Sequence, residues 1–132
     1  METVAIEFDL SAEEVRKILE PTWSGPLGAL GKRMAANQLN RVAERLAGPT
    51  TITVSEAGIR LAASGSERQI DWSEVRALVE RKYAWVFQLA PSGIYLIPAD
   101  AVPAAQFGDF GAHLRALAGS KYEVREGGIR RQ

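Results

Sequence analysis

Few residues of this chain could carry out acid–base chemistry or hold a metal ion. His113 is the one histidine, and the 132 residues contain no cysteine. A catalytic triad needs a nucleophile, a base and an orienting acid that meet in space, and spacing singles out no serine for this role. A metal site would need several carboxylates beside the histidine, whereas Asp100 and Asp109 lie nine positions apart. The pattern predicts no catalytic residue and no metal site, and it favours His113 as a partly exposed helix residue.

A glycine-rich stretch, WSGPLGALG at residues 23–31, resembles at first sight a loop that could hold a phosphate. It is not followed by Lys-Ser/Thr, and it does not match the GxGxxG fingerprint of dinucleotide sites. Because the chain has no cysteine, it can form neither disulfides nor thiolate metal sites, and this composition fits a reducing compartment. The sequence therefore predicts a non-catalytic protein without a cofactor, located in the cytoplasm, with contact at the inner face of the membrane as the alternative.

The overall charge argues against one class of partner. Sixteen basic residues balance sixteen acidic ones, so the chain lacks the basic field that nucleic-acid binding usually requires. The hydrophobic fraction of 46% is typical of a globular domain. The longest apolar runs are far shorter than the roughly 20 residues that cross a bilayer. We expect a soluble chain that does not bind nucleic acid.

The periodicity of apolar residues indicates the elements that must position any site. Val4, Ile6 and Phe8 alternate with polar residues, which predicts a half-buried strand. Ser11 and Glu14 have the spacing of a capping box that begins a helix. From residue 50 the period is two, with turns at roughly ten-residue intervals. The predicted elements are a strand at 3–9, helices at 12–20 and 32–47, an antiparallel meander at 50–98, and a helix at 104–118.

This order of elements predicts an α+β fold rather than an alternating βαβ fold. We expect about six or seven short strands in a bent antiparallel sheet or partly open barrel, which the last helix caps. The face of the 27–34 segment does not coincide with the later apolar stripe, so one straight helix over 27–47 is not expected. Residues 1–119 are predicted to form a single domain. The tail at 120–132 is predicted to add one edge strand and then to be disordered.

The chain from residue 50 to 119 resembles the YcxB-like C-terminal domain family. The segments that carry the resemblance are ITVSEAGIRL, SERQIDWSEVRALVERKYAWVFQL, GIYLIPADAV and FGDFGAHLRALAG. The positions that match the family pattern are Trp72, Ser73, Glu74, Ile97 and Pro98. The resemblance implies a fold similar to bacterial pleckstrin-homology-like (PH-like) domains, in which a bent antiparallel sheet is capped by a helix. It implies no defined activity and supplies no catalytic residues.

One segment departs from the family pattern. Members of this family typically place a transmembrane hairpin between the N-terminal strand–helix and the C-terminal domain. Here residues 22–48, TWSGPLGALGKRMAANQLNRVAERLAG, occupy that place, and they are too polar to span a bilayer. Either this is a soluble member, or a hairpin has been lost or removed.

A basic helix face is the first candidate for an interaction surface. The segment 32–45 carries a net charge of +3, with Glu44 as its one acid. Such a face could contact anionic headgroups, since each base near a charged membrane adds about 1 kcal/mol, and a nearby tryptophan suits an interfacial anchor. The candidate residues are Trp23, Lys32, Arg33, Arg41 and Arg45.

The aromatic residues of the meander are the second candidate. Trp85 and Phe87 point to one face of a predicted strand, and Tyr95 lies on the next strand. Core packing explains them first, because cross-strand aromatic pairs stabilise sheets. The alternate face is also apolar, so it must be covered by a helix, covered by a partner subunit, or left exposed.

These two candidates leave three hypotheses about function. The leading one is a non-catalytic PH-like interaction domain that binds a protein partner or self-associates. The alternative is a peripheral membrane protein or small-ligand sensor that uses the basic helix or a pocket in the sheet. A hydrolytic enzyme is the third, which a pocket with convergent polar groups around His113 would favour.

Overall fold

The computed structural model of the chain describes residues 3–19, 28–63, 65–90, 93–125 and 127–129, with the backbone alone for 28–36. The chain forms two compact units. One, called here the sheet unit, contains Met1–Phe8 and Thr50–Gln132, and the other, the helical unit, contains Asp9–Pro49. Each unit is described by itself.

The helical unit contains α1 (Ala12–Leu19) and α2 (Gly28–Leu46). The predicted capping box forms, because the Ser11 N–H donates to Glu14 Oε1 and the Glu14 N–H donates to Ser11 Oγ, both at 3.1 Å. Arg16 Nη1 donates to Asn40 Oδ1 at 3.1 Å, which links α1 to α2.

Helix α2 is continuous and begins four residues before the predicted helix at 32–47. A single helix over this range was not expected, because the apolar residues of its two halves do not share one face. That argument concerns which face is buried and not whether the backbone can be helical. A glycine inside a helix costs only about 1 kcal/mol relative to alanine, so the glycines near its start do not prevent helix formation.

Eight strands form two four-stranded sheets in the described part of the chain. The sheet orders are β1-β2-β3-β4 and β7-β6-β5-β8. The predicted α+β class with antiparallel pairing is confirmed, and both sheets are open rather than closed into a barrel. The strands are β1 (Val4–Leu10), β2 (Gly48–Ser55), β3 (Gly58–Ala63), β4 (Ser66–Ile70), β5 (Val75–Glu80), β6 (Ala84–Leu89), β7 (Ile94–Pro98) and β8 (Tyr122–Val124).

A short 3-10 turn at Trp72–Glu74 separates the two sheets. Trp72 Nε1 donates to the carbonyl of Ser55 at 2.8 Å, and Lys121 Nζ donates to the carbonyl of Trp72 at 2.8 Å. These bonds fix the turn to the end of β2 and to the segment that precedes β8. The chain changes sheets at this turn, which explains why two sheets form instead of the one bent sheet predicted.

Strand β8 pairs with β5 in parallel, with Leu78 opposite Tyr122. The predicted edge strand of the tail therefore exists, but the sheet is not wholly antiparallel. The reason is the connection, because parallel neighbours need a long crossover that usually contains a helix. Here the crossover contains α3 (Phe107–Ala118).

One core in the sheet unit joins both sheets and α3. Each sheet contributes the residues of one face, as the alternation of apolar residues along its strands requires. Trp85 and Phe87 are the largest side chains that are fully buried. The core contains Ile6, Ile52, Val54, Ile59, Ile70, Val75, Leu78, Trp85, Phe87, Leu89, Ile97, Val102, Phe110, Leu114 and Ala118.

Candidate functional site: a cleft between a strand edge and the last helix

A cleft of about 640 Å³ lies between the beginning of β1 and α3 within the sheet unit. Its volume falls in the range of roughly 300–1,000 Å³ that is usual for ligand sites. We call it the β1–α3 cleft. The residues that line it are Thr3, Val4, Ala5, Gln106, Asp109, Phe110 and His113.

The helix wall of the cleft is built by local sequence signals. Pro103 precedes a 3-10 turn at Ala104–Gln106, and α3 follows directly. The helix ends at Gly119, which has a φ of 57° and donates its N–H to the carbonyl of Arg115. Residues three and four positions apart share one side of a helix. The cleft residues Asp109, Phe110 and His113 of α3 therefore form one stripe, and Gln106 of the preceding 3-10 turn extends it.

Trp85 holds α3 in place from the core side. Its ring contacts Phe110 edge to face, with centroids 5.2 Å apart, and Phe107 in a tilted arrangement at 5.5 Å. A Cβ atom at Gly111 would lie 3.6 Å from Trp85 Cζ2, so the helix backbone passes close to the indole ring. Such aromatic pairs add about 0.5–1.5 kcal/mol beyond the buried area. Trp85 thus positions the helix whose other side lines the cleft.

A polar cluster joins Trp85 to the C-terminal segment. The Tyr122 hydroxyl donates to the Glu80 carboxylate and accepts from Trp85 Nε1 at 3.2 Å. Glu80 also accepts from the Ile129 N–H at 3.0 Å and lies 3.6 Å from Arg115 Nη2. Burial and the hydrogen bond to Glu80 raise the pKa of Tyr122 to about 12. At neutral pH this hydroxyl remains protonated, so the cluster stabilises the fold rather than supplying a nucleophile.

His113 has one feature that the core does not explain. Its Nε2 atom is buried and has no hydrogen-bond partner among the residues that the structure describes. A buried polar group without a partner costs about 1–3 kcal/mol. The neutral imidazole can donate from one nitrogen and accept at the other. A water molecule does not reach this nitrogen, so a group bound in the cleft can use it only if the imidazole ring turns toward the cleft.

The predicted aromatic surface residues have different locations. Trp85 and Phe87 are 0% and 1% exposed, so neither presents a side chain to a partner. The alternation of residues predicted that they share a face, but it could not tell which face is core. Tyr95 is half-buried on β7, where its hydroxyl accepts from Arg68 Nη1 at 3.1 Å. Val86 and Leu96 on the alternate face are also buried, at 3% each.

The predicted basic residues lie on α2 of the helical unit. Arg41 and Arg45 are exposed and one helical turn apart, with Glu44 exposed beside them. Trp23 lies outside the described residues, and the side chains of Lys32 and Arg33 do as well. The structure therefore places two of the five predicted residues, Arg41 and Arg45, on one turn of α2.

The cleft residues were not predicted as a site from the sequence. The sequence presents His113 as a lone histidine and Asp109 as an isolated carboxylate nine positions from Asp100, so neither is predicted to form a site. The signal was present as a polar stripe, because Gln106, Asp109 and His113 recur at three- and four-residue steps. The opposite wall could not be found from sequence, since Thr3 is about a hundred positions away from the helix.

No group of three or more His, Cys, Asp or Glu side chains is placed to hold a metal ion in the described part of the chain. Among the same residues, no helix has both the length and the apolar character needed to cross a membrane.

Comparison with known families agrees with this fold. Residues 54–114 match the family model described as YcxB-like protein. The matched segment runs from β2 into α3, includes the predicted motif residues Trp72 and Pro98, and covers slightly less than half of the chain. This match confirms, for this part of the chain, the resemblance to the YcxB-like family that the sequence predicted. No curated protein and no solved structure matches the chain.

Proposed function

We propose that the sheet unit is a non-catalytic, PH-like interaction domain that binds a segment of a protein partner in the β1–α3 cleft. The observation that carries this proposal is a cleft lined by the exposed polar side chains of Thr3, Gln106 and Asp109. His113 lines it as well, and its buried Nε2 atom, which has no partner among the described residues, can bond a ligand once the ring turns toward the cleft. Polar groups that converge on a cleft fix the orientation of a ligand.

A pocket with polar groups around His113 is the feature expected of a hydrolytic enzyme, and the cleft has such groups. We nevertheless infer binding rather than catalysis from their arrangement. Nucleophilic catalysis needs a nucleophile held by hydrogen bond to its base, and the base in turn oriented by a third group. In the described part of the chain Nε2 of His113 makes no such bond. The threonine and the carboxylate of the cleft are exposed on opposite walls. This arrangement suits a domain that binds a partner, and it lacks the paired nucleophile and base that a hydrolase needs among the described residues.

The proposal can be tested by site-specific photo-crosslinking in the cells that produce the protein. A photoreactive amino acid would replace Ala5 or Gln106, which are exposed and line the cleft. Glu67 on β4 and Ala116 on α3 are exposed outside the cleft residues and serve as matched controls. We expect an adduct of defined mass from both cleft positions and from neither control.

The mass of the adduct identifies the partner. An adduct of twice the chain mass that also forms with the purified protein indicates self-association. An adduct found only in cells indicates a different protein. Absence of adducts at Ala5 and Gln106, or equal adducts at Glu67 and Ala116, contradicts a binding role for the cleft.

A second candidate is contact with an anionic membrane through the helical unit. Arg41 and Arg45 are both exposed and one turn apart on α2, and bases near a charged surface add about 1 kcal/mol each. Co-sedimentation with vesicles that contain or lack anionic lipid tests this. Lipid-dependent binding that Arg41→Glu with Arg45→Glu abolishes supports it, and binding to neither kind of vesicle rejects it.

A further inference from the structure

One wall of the cleft is formed by β1, which lies at the edge of its sheet. β1 is the outermost strand of its sheet and is bonded to β2 on one side. The cleft touches Thr3, which precedes β1, and the first two strand residues, Val4 and Ala5, whose side chains point to opposite faces. A cleft that meets both faces at the beginning of an outermost strand gives access to the strand edge. Backbone N–H and C=O groups at such an edge can pair with another extended chain.

The length of the helix wall fits a short extended segment. Positions 106 to 113 of α3 rise about 10 Å along the helix axis. An extended chain advances about 3.3 Å per residue, so the wall is long enough to contact roughly three residues of a strand. Gln106 and Asp109 would face alternate side chains of that strand, and His113 would lie beside its far end.

The charge of the cleft indicates the chemistry of its occupant. Asp109 is the one lining residue with a formal charge at neutral pH among those that the structure describes, and its carboxylate is exposed. Further along β1, Glu7 is also exposed. None of the lining residues that the structure describes is a lysine or an arginine. A segment with a basic side chain is therefore complementary to the cleft, and an acidic segment is repelled.

We infer that the β1–α3 cleft binds an extended peptide that carries a lysine or arginine and that pairs, as an added strand, with the edge of β1 that no described strand occupies. This inference rests on the proposed function and names the partner class. The peptide backbone bonds to β1, the basic side chain contacts Asp109, and a polar group of the peptide bonds to Nε2 of His113 after the imidazole ring turns toward the cleft. Strand addition of this kind draws affinity from the backbone and specificity from alternate side chains.

The first experiment identifies a ligand without knowledge of the natural partner. A phage library of random twelve-residue peptides would be selected on the full chain and on the Asp109→Lys variant. We expect peptides with a basic residue next to alternating apolar residues to be enriched on the natural chain. Asp109→Lys should weaken binding of a selected peptide about tenfold, since an attraction is replaced by a repulsion. Glu67→Lys makes the same charge change on β4 and should leave affinity unchanged.

The second experiment tests the strand pairing itself. Each backbone amide of a selected peptide would be N-methylated in turn, and affinity would be measured by fluorescence anisotropy. Because alternate N–H groups of an added strand point toward β1, we expect affinity to fall at every second position. His113→Ala should weaken binding about fivefold, and His113→Asn, which keeps a hydrogen-bonding group, should restore part of it.

The outcomes separate this inference from the proposed function. Loss of affinity without a two-residue period, enrichment of acidic peptides, or enrichment of no peptide overturns the inference. Equal binding by the natural chain and Asp109→Lys does so as well. In each of these cases crosslinks from Ala5 and Gln106 can still form, and they would sustain the interaction domain with a different mode of binding.

Discussion

The two sides of α3 differ in how completely their side chains are packed or hydrogen-bonded. On the core side, Phe110 and Leu114 are buried at 3% and 0% exposed, and the helix packs on Trp85. On the cleft side, Asp109 is exposed and Nε2 of His113 is buried without a partner in the described residues. One side of the helix is therefore well packed, whereas the other side contains a buried polar atom without a hydrogen bond, which lowers the stability of the fold.

This difference shows how a helix can serve stability and binding at once. Apolar packing on Trp85 fixes the helix, and the fixed helix holds its polar stripe in one geometry. A preorganised polar group loses less free energy on binding than a mobile one. Natural proteins commonly retain destabilising groups where a ligand must bind. The following predictions separate the two sides, from the largest expected effect to the smallest.

Trp85→Ala removes the residue that positions the core side of α3. We expect a loss of about 3–5 kcal/mol in the free energy of unfolding, because a fully buried aromatic side chain is deleted. Urea denaturation followed by circular dichroism measures this. Val124→Ala is the control, since Val124 is 50% exposed, and it should change the free energy by less than about 0.5 kcal/mol. Equal effects would show that Trp85 does not anchor the helix.

Tyr122→Phe removes the hydroxyl that connects Trp85 to Glu80. We expect a loss of about 1–3 kcal/mol, because Trp85 Nε1 and the Glu80 carboxylate each lose a partner. Tyr83→Phe is a matched control whose hydroxyl makes no hydrogen bond to the described residues. If both variants unfold at the same urea concentration, the polar cluster does not contribute to stability.

The Tyr122 hydroxyl also makes the stability of the fold depend on pH. The pKa of Tyr122 is raised from 10.0 to about 12 by burial and by Glu80, so the folded state binds this proton more tightly than the unfolded state. Its contribution is fully present below pH 10 and is lost as the pH rises to 12. Urea titrations at pH 8, 10, 11 and 12 should show the stability difference between the natural chain and Tyr122→Phe decreasing over this window. A constant difference would contradict the assignment.

Two glycines of α3 allow the core side of the helix to be compared with the opposite side. Gly111 lies next to Trp85, whereas Gly108 has no neighbour within 4 Å of its Cβ position. In Gly111→Ala the new methyl group would lie 3.6 Å from Trp85 Cζ2, an ordinary contact, and alanine favours the helix. We expect a gain of about 1 kcal/mol. Gly108 has nothing within 4 Å of its Cβ position and lies in the first turn, so Gly108→Ala should gain less. A loss at Gly111 would mean that the indole ring cannot tolerate the added methyl group.

His113→Leu tests the cleft side, with the smallest expected change in stability. Replacement of a polar ring that has a buried, unpaired nitrogen should raise the free energy of unfolding by roughly 0.5 kcal/mol relative to His113→Gln. Glutamine has a similar helix propensity to leucine but keeps a polar group, so it controls for propensity. A lower stability for His113→Leu than for His113→Gln would indicate that the nitrogen is satisfied in solution.

The sequence predicted the core side of α3 more completely than the cleft side. Phe107, Phe110 and Leu114 recur at helical spacing, and this period is sufficient to predict a buried stripe. The alternation at Trp85 and Phe87 predicted a shared face but not its burial. Whether a strand face is core depends on the sheet packed against it. The 3-10 turn at Trp72–Glu74 begins with a capping box of Asp71 and Glu74, which signals a turn but not that the chain changes sheets there.

The cleft could not be predicted because it depends on a contact that is distant in sequence. Asp109 and His113 form a polar stripe that is typical of any solvated helix face. Their function depends on β1 lying beside them, and nothing near residue 109 encodes the position of Thr3. The buried Nε2 of His113 was also invisible, since the sequence predicts only that a histidine beside an apolar stripe is partly exposed.

The parallel pairing of β8 with β5 has a consequence for how the chain folds during synthesis. Leu78 and its partner Tyr122 are separated by 44 positions, and contacts between distant residues form slowly. Until Tyr122–Val124 have been synthesised, the edge of β5 that later receives β8 lacks this strand, and unpaired strand edges promote association with other chains. A chain cut before residue 122 is therefore expected to aggregate at this edge, so the shortest strand of the sheet protects the folded protein from association.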